Sequence, residues 1–149
     1  YDFLLPFIIL TVTSDHVYDF CLIVIFIVGE SFTYGARKTA GAVPRGVEGV
    51  LAFFHQKIPS QTLVIMFSVP FSNTRPFYHN QFYLKLFDVK LDKEGVNENL
   101  FNEMYGDTEN RFKGDNTHHD VKLNDRFEAD CFMSSAGTAV IQIDLRERK

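Results

Sequence analysis

Short strand-like runs separated by turn residues recur through most of the chain and restrict it to a few folds. The stretch LVIMF at 63–67 is apolar throughout, as in a strand buried on both faces. The stretch IQIDL at 141–145 alternates apolar and polar side chains, as in a strand with one face in solvent. Repeated short strands of this kind indicate a mainly β chain that folds as a β-sandwich or barrel.

Several strands are predicted after residue 46, each rich in β-branched or aromatic residues. They are Val47–Phe54, Thr62–Val69, Phe82–Val89, Arg126–Met133 and Thr138–Leu145. Glycine and proline punctuate residues 35–46, which we therefore predict to be a loop.

Residues 95–107, GVNENLFNEMYGD, follow helical rather than strand spacing. Their apolar side chains fall on one side of a helix: Leu100, Phe101, Met104 and Tyr105. Asn97 is suited to the N-cap and Gly106 to the C′ position. We expect a short helix that packs on the sheet, with Phe101 and Tyr105 together one turn apart.

Residues 1–28 form an atypical hydrophobic segment, in which the polar piece TSDHVYD separates the runs Phe3–Leu10 and Phe20–Val28. Each run is shorter than the ~20 residues of a membrane-spanning helix, and no basic n-region precedes them. The β-branched content of the second run predicts a core strand. We interpret the segment as one or two core strands. The alternatives are a residual secretory or membrane segment, or a stretch that does not belong to the domain that follows. The domain proper is expected at 29–149.

Charge and motif content exclude several function classes. The net charge of −4 lacks the basic excess typical of nucleic-acid binding, so we expect no nucleic-acid partner. No GxxxxGK[ST], GxGxxG, GxSxG or HExxH motif occurs, so we expect neither an enzyme nor a cofactor. For Cys21 and Cys131, two buried free thiols are favoured over a disulfide.

Two polar motifs have simple interpretations. The histidines of HHD at 118–120 are candidate metal ligands, but no further ligand has a fixed spacing from them. We interpret this motif as a solvated turn and expect no metal site. Lys113, Gly114 and Asp115 form KGD, whose composition predicts a tight exposed turn.

The aromatic residues are the strongest candidates for a binding site in a chain with 16 Phe, 6 Tyr and no Trp. Phe77 and Tyr78 lie in a polar loop, and Phe101 and Tyr105 lie on the predicted helix. Such rings can surround a quaternary ammonium group or lie at a membrane interface. The alternative is that they belong to an ordinary Phe-rich core.

Several segments, in order and spacing, resemble the actinoporins, the pore-forming cytolysins of sea anemones. They are GVEGVLAFF (46–54), TLVIMFSVPF (62–71), FYHNQFYLKLF (77–87), FKGDN (112–116) and CFMSSAGTAVIQIDL (131–145). The resemblance covers roughly residues 29–149. It implies a β-sandwich flanked by helices, and secretion, with the nematocyst as a candidate compartment. It also implies recognition of the phosphocholine head of sphingomyelin, and a homo-oligomeric membrane pore lined by an N-terminal amphipathic helix.

The resemblance also implies a lipid and phosphocholine site, which can be carried over by position. Its expected residues are Ser68, Pro70, Tyr78, Phe101, Tyr105 and Glu48, and the expected membrane-docking aromatics are Phe77 and Tyr78. Lys113, Gly114 and Asp115 match the family's Arg-Gly-Asp.

The chain departs from the family pattern at several of these positions. Phe77 and Gln81 stand where the family has tryptophans, and Gly106 stands where it has a second adjacent tyrosine. Glu48 replaces a small apolar residue, and its carboxylate could pair with choline while repelling phosphate. Before residue 29, only Thr-Ser-Asp at 13–15 resembles the family. The two apolar runs lack the polar face of an amphipathic helix, so we expect the family's N-terminal amphipathic helix to be missing from this sequence.

The leading prediction is a membrane-binding, pore-forming cytolysin that recognises phosphocholine head groups. The alternative is a lectin-like module of the same fold that binds a head group or glycan without forming a pore. An enzyme is the third hypothesis, and no catalytic constellation supports it.

Overall fold

The computed structural model describes residues 20–27, 30–37, 47–54, 61–70, 79–92, 94–135 and 139–148. Within these ranges the strands are, in chain order, β1 Phe20–Ile27, β2 Glu30–Arg37, β3 Val47–Phe54, β4 Thr62–Val69, β5 Gln81–Phe87, β6 Phe112–Lys113, β7 His118–Lys122, β8 Phe127–Met133 and β9 Ala139–Glu147. One helix, α1 Glu98–Gly106, lies between β5 and β6.

The strands form two sheets, a five-stranded sheet of order β2-β1-β9-β8-β7 and a four-stranded sheet of order β3-β4-β5-β6. Neighbouring strands pair antiparallel except β1 and β9, which run parallel with Ile23 opposite Ile141. Residues 20–27 therefore belong to the same sheet as the C-terminal strand.

The core lies between the two sheets because alternate residues of their strands are apolar. β8 shows this alternation from Phe127 to Met133, and β9 shows it from Ala139 to Leu145. β4 is buried along its whole length, as its continuous apolar run predicts. Side chains of β3, β4, β5, β8 and β9 meet in one cluster, so the predicted mainly β sandwich is confirmed.

The helix α1 covers the other face of the four-stranded sheet. Its Leu100, Phe101 and Met104 pack with residues of β3, β4 and β5 in a second apolar cluster. Asn97 is the N-cap, and its side chain accepts a hydrogen bond from the Leu100 N–H at 3.0 Å. Gly106 is the last helical residue and Asp107 is the C-cap, so the prediction that Gly106 lies beyond the helix is wrong.

Two further expectations need correction. The loop predicted at 35–46 begins too early, because residues 35–37 of β2 pair with residues 20–22 of β1. HHD does not form a turn but begins β7, which pairs with β8. Residues 38–46 and the apolar run Phe3–Leu10 lie outside the described residues.

Candidate functional site

The exposed ring of Tyr105 marks the helical side of the candidate site. Tyr105 is 37% exposed, whereas Phe101 one turn earlier is only 4% exposed. The two rings stack, with centroids 5.7 Å apart and planes 18° from parallel. Helical spacing predicted this pair, and the structure adds that Phe101 supports the exposed ring from below the surface.

Arg111 completes the surroundings of the Tyr105 ring. Its guanidinium carbon lies 4.6 Å from the ring centroid, which is a cation–π distance. The Arg111 Nη1 group also donates a hydrogen bond to the Tyr105 carbonyl oxygen. This carbonyl lies in the last turn of α1, where backbone acceptors lack helical partners. Arg111 therefore both caps the helix end and holds a positive charge against the ring.

A polar row crosses the four-stranded sheet on the face that α1 covers. Glu48 of β3 pairs with Ser68 of β4, and Ser68 pairs with Gln81 of β5. The Ser68 hydroxyl is buried, at 5% residue exposure, and donates to Glu48 Oε1 at 3.2 Å. The side-chain oxygen Gln81 Oε1 is buried and accepts no hydrogen bond from the described residues. The row therefore combines the Glu48 carboxylate, a Ser68 hydroxyl that already donates to it, and a Gln81 oxygen that accepts no hydrogen bond from the described residues.

Tyr83 ties the end of the helix to this part of the sheet. It lies two residues after Gln81 in β5, on the same face, and its hydroxyl donates to Asp107 Oδ2 at 3.2 Å. Burial, together with the hydrogen bond to Asp107, raises the pKa of Tyr83 to about 12. The Asn110 amide is the main cause that lowers the pKa of Asp107, with Tyr83 as a further cause. The C-terminal end of α1, with Tyr105, thus lies at the end of the sheet that carries the polar row.

The structure brings part of the predicted site together. Glu48 and Ser68 are hydrogen-bonded to each other, and Phe101 and Tyr105 stack on the same side of the sheet. Pro70 follows β4 directly and is half-buried. Phe77 and Tyr78, the predicted docking aromatics, lie outside the described residues.

Sequence reasoning missed three residues of this region: Tyr83, Asp107 and Arg111. The strand alternation of FYLKLF could have placed Tyr83 on the helical side, since Phe82 faces the core. No local pattern indicates that Asp107 and Arg111 meet Tyr83 and Tyr105, because these contacts depend on how the chain turns after α1.

The KGD turn connects the two sheets, and backbone hydrogen bonds join it to both of them. Gly114 is buried, and its N–H donates to the Asn80 carbonyl oxygen at 2.6 Å. Asn116 has a left-handed φ of 63°, and its N–H donates to the Met133 carbonyl oxygen. Lys113 ends β6, and both it and Asp115 are exposed. The side chains of Lys113 and Asp115 are therefore exposed on a turn whose backbone is held by hydrogen bonds.

The histidines of β7 point to opposite sides of their strand. His118 is exposed and lies 3.2 Å from Asp130 Oδ2, whereas the ring of His119 packs on Phe112 with centroids 4.6 Å apart. Among the described residues, no group of three or more His, Cys, Asp or Glu side chains could hold a metal ion. Cys131 is buried and free, and burial raises the pKa of its thiol to about 12. Such a thiol stays protonated and acts as an apolar core residue.

The family model for sea anemone cytotoxic proteins matches residues 13–147 of the chain. The chain belongs to this family, the actinoporins. The match begins at residue 13, so the family pattern reaches further toward the N-terminus than the motifs after residue 29 indicated.

Individual relatives of this actinoporin are sea anemone proteins. It is 30% identical over 115 residues to nigrelysin of Anthopleura nigrescens, covering 77% of this chain and 50% of nigrelysin. It is 33% identical over 116 residues to DELTA-actitoxin-Ucs1a of Urticina crassicornis, covering 76% and 48%. It is 28% identical over 118 residues to DELTA-actitoxin-Afr1c of Actinia fragacea, covering 79% and 62%. The chain thus spans about half the length of the first two relatives.

A solved structure shares the fold of this actinoporin. The lipid binding protein Nakanori superposes with a TM-score of 0.64 at 13% identity, covering 89% of this chain and 73% of Nakanori. Identity this low supports likeness of fold alone. No helix in the described ranges combines the length and apolar character that crossing a bilayer requires.

Proposed function

We propose that the chain is the membrane-docking part of a secreted cytolysin that binds phosphocholine head groups, including that of sphingomyelin, and assembles as a homo-oligomer on the target membrane. The proposal depends above all on one observation: Tyr105 presents an exposed ring at the end of the sheet that carries Glu48 and Ser68. A choline group would lie against such rings, and the Glu48 carboxylate favours its positive charge. The mechanism is binding and insertion, without bond chemistry.

The relatives support this proposal at the level of the family, since their names mark them as toxins and lysins. Tyr78, Phe77 and Pro70 remain part of the proposed site through their positions in the family pattern. The Phe101 ring contributes by holding Tyr105, because its own surface is almost fully covered. The nematocyst remains the proposed compartment before release.

Co-sedimentation with vesicles tests the docking. We expect Tyr105→Ala to weaken binding to phosphatidylcholine–sphingomyelin vesicles about two- to fivefold, because an exposed cation–π contact contributes about 0.5–1 kcal/mol. Val89→Ala is the matched control, because Val89 is also a large exposed apolar residue, at 54% exposure, and lies in the segment before α1. Equal losses in both variants, or no loss in Tyr105→Ala, would contradict the assignment of the site.

A second candidate is a head-group or glycan binding module that does not form a pore. The hydrogen bond from Ser68 to Glu48 favours this second candidate. The Ser68 hydroxyl already donates to Glu48 and is not free to donate to a phosphate, and the Glu48 carboxylate repels phosphate. Release of a trapped dye from the same vesicles separates the two candidates. Binding with release supports the cytolysin, whereas binding without release supports the module.

A further inference from the structure

Arg111 is the most unusual charged residue near the candidate site. Its guanidinium carbon lies 4.6 Å from the Tyr105 ring centroid, and its Nη1 group donates to the Tyr105 carbonyl oxygen. The backbone N–H of Arg111 donates to the Asp107 carbonyl oxygen at 3.3 Å. The side chain is therefore held in place by the end of α1 and by the next turn.

No carboxylate pairs with Arg111 in the part of the chain that the structure describes. Two arginines near the other sheet differ in this respect: Arg126 pairs with Glu147 at 3.1 Å, and Arg146 pairs with Glu128 at 3.2 Å. The nearby acid Asp107 accepts instead from Asn110 and Tyr83. A guanidinium carries five N–H donors, and the Tyr105 carbonyl occupies only one of its nitrogens. Arg111 thus keeps donors for an anion.

A second positively charged residue, Lys113, lies on β6, the edge strand of the four-stranded sheet that follows Arg111. Lys113 pairs with Gln81 across β5 and β6, so it continues the polar row that begins at Glu48 and Ser68. Lys113 is exposed, and no ion pair joins it to a carboxylate of the described residues. The row therefore has a carboxylate on β3 and a lysine on β6, with Arg111 two residues before that lysine.

We propose that Arg111, assisted by Lys113, binds the phosphate of membrane lipids, so that the chain docks on anionic, choline-free phospholipids as well as on phosphocholine lipids. The inference rests on the proposed docking surface around Tyr105. A planar guanidinium matches the oxygens of a phosphate with two parallel hydrogen bonds. The same guanidinium lies 4.6 Å from the centroid of the Tyr105 ring, so a phosphate bound to it would lie beside the ring that we propose contacts choline. Binding of the phosphate by Arg111 would therefore add to recognition of the ammonium group and would not require it.

Vesicle binding by the 149-residue chain tests the inference. One vesicle set contains phosphatidylcholine and sphingomyelin, and the other contains phosphatidylethanolamine and phosphatidylglycerol without choline. We expect the wild type to bind both sets, and Arg111→Gln to lose about tenfold in affinity for the choline-free set. Arg111→Lys keeps the positive charge but cannot form the two parallel hydrogen bonds of a guanidinium. We expect its loss of affinity to lie between those of the wild type and Arg111→Gln.

Arg148→Gln is the matched control, since it removes the same charge from an exposed arginine after β9 in the other sheet. We expect it to stay within about twofold of the wild type, because its charge lies away from the docking surface. Circular dichroism melts establish that each variant is folded. If Arg111→Gln does not fold, the comparison uses Arg111→Lys.

The outcomes separate this inference from the proposed function. Wild-type binding to the choline set alone overturns the inference and leaves the proposed function intact, whereas binding to neither set overturns both. Equal losses of affinity in Arg111→Gln and Arg148→Gln would mean that only the net charge of the protein matters, and would overturn the role assigned to Arg111. Calorimetry with inorganic phosphate is expected to show no binding. Tight binding there would assign Arg111 to a soluble anion instead of a lipid.

Discussion

The two faces of the four-stranded sheet are covered in different ways. The inner face packs on the other sheet and is apolar along its whole length, from Leu63 to Val69 on β4. The outer face is apolar only in the middle, where α1 covers Val64 and Met66. Polar residues lie at its two ends, with Thr62 at one and Ser68 at the other. The inner layer is therefore held by apolar packing, whereas the outer layer also uses side-chain hydrogen bonds at its two ends.

Truncating an inner side chain should have the largest effect. Phe67 is fully buried between the sheets, so we expect Phe67→Ala to lower the free energy of unfolding by about 3–5 kcal/mol. Urea denaturation followed by circular dichroism measures this loss. The neighbouring Met66→Leu, on the outer face, keeps the volume and should cost less than about 1.5 kcal/mol. A cost below about 1.5 kcal/mol for Phe67→Ala would contradict the tight packing of the inner face.

Two glycines, Gly114 and Gly106, differ in how much space surrounds them, and substituting each by alanine tests this difference in packing. A Cβ at Gly114 would lie 2.7 Å from Asn80 Cβ and 2.8 Å from Met133 Cγ, whereas a Cβ at Gly106 meets nothing within 4 Å. We expect Gly114→Ala to lower the unfolding free energy by about 1–3 kcal/mol. Gly106→Ala, at the end of α1, should raise it by about 0.4–1 kcal/mol because alanine restricts the unfolded chain. Thermal melts of the two variants should therefore move in opposite directions.

The Thr62 end of the outer face tests the contribution of its hydrogen bonds. The Thr62 hydroxyl donates to the Val89 carbonyl oxygen at 2.8 Å and accepts from the Leu91 N–H at 3.0 Å. Thr62→Val keeps the shape but removes both bonds, so we expect a loss of about 1–2 kcal/mol in unfolding free energy. Thr117→Val, at an exposed position, should change the unfolding free energy by less than about 0.5 kcal/mol. If Thr62→Val costs no more than this control, packing alone fixes the segment before α1.

Residues with strong local patterns were predictable from the sequence, and residues held by distant partners were not. The observed β3 and β4 have the predicted ends, because both strands alternate or are apolar throughout. The helix followed from its spacing and from Asn97, and the core position of Phe82 from its strand. The pore, the lipid preference and the oligomer stay predictions.

The missed elements had weak local signals. β2 contains Gly35, and HHDVK of β7 is polar at alternate positions because one side of that strand faces solvent. Pairing with β1 and β8, rather than propensity, forms these strands. In the candidate site, Arg111 reaches Tyr105 only because the chain turns back after α1, which no spacing rule reports.

The bond between Tyr83 and Asp107 should give the smallest effect and a distinct pH dependence. Tyr83→Phe removes this bond, and we expect a loss of about 1 kcal/mol in unfolding free energy near neutral pH. Tyr105→Phe is the matched control, because the Tyr105 hydroxyl makes no hydrogen bond to the described residues.

The sign of the pH dependence follows from the two pKa shifts. Folding raises the pKa of Tyr83 from 10.0 to about 12, so its contribution is complete below pH 10 and is lost as the pH rises toward 12. Folding lowers the pKa of Asp107 from 3.8, so its contribution is complete above that value and is lost as the pH falls through the folded value. Denaturation between pH 9 and 12 should therefore show a steeper alkaline decline in the wild type and Tyr105→Phe than in Tyr83→Phe. Equal slopes in all three proteins would mean that Tyr83 is not tied to the helix end, and that the Ser68 end of the outer face lacks this anchor.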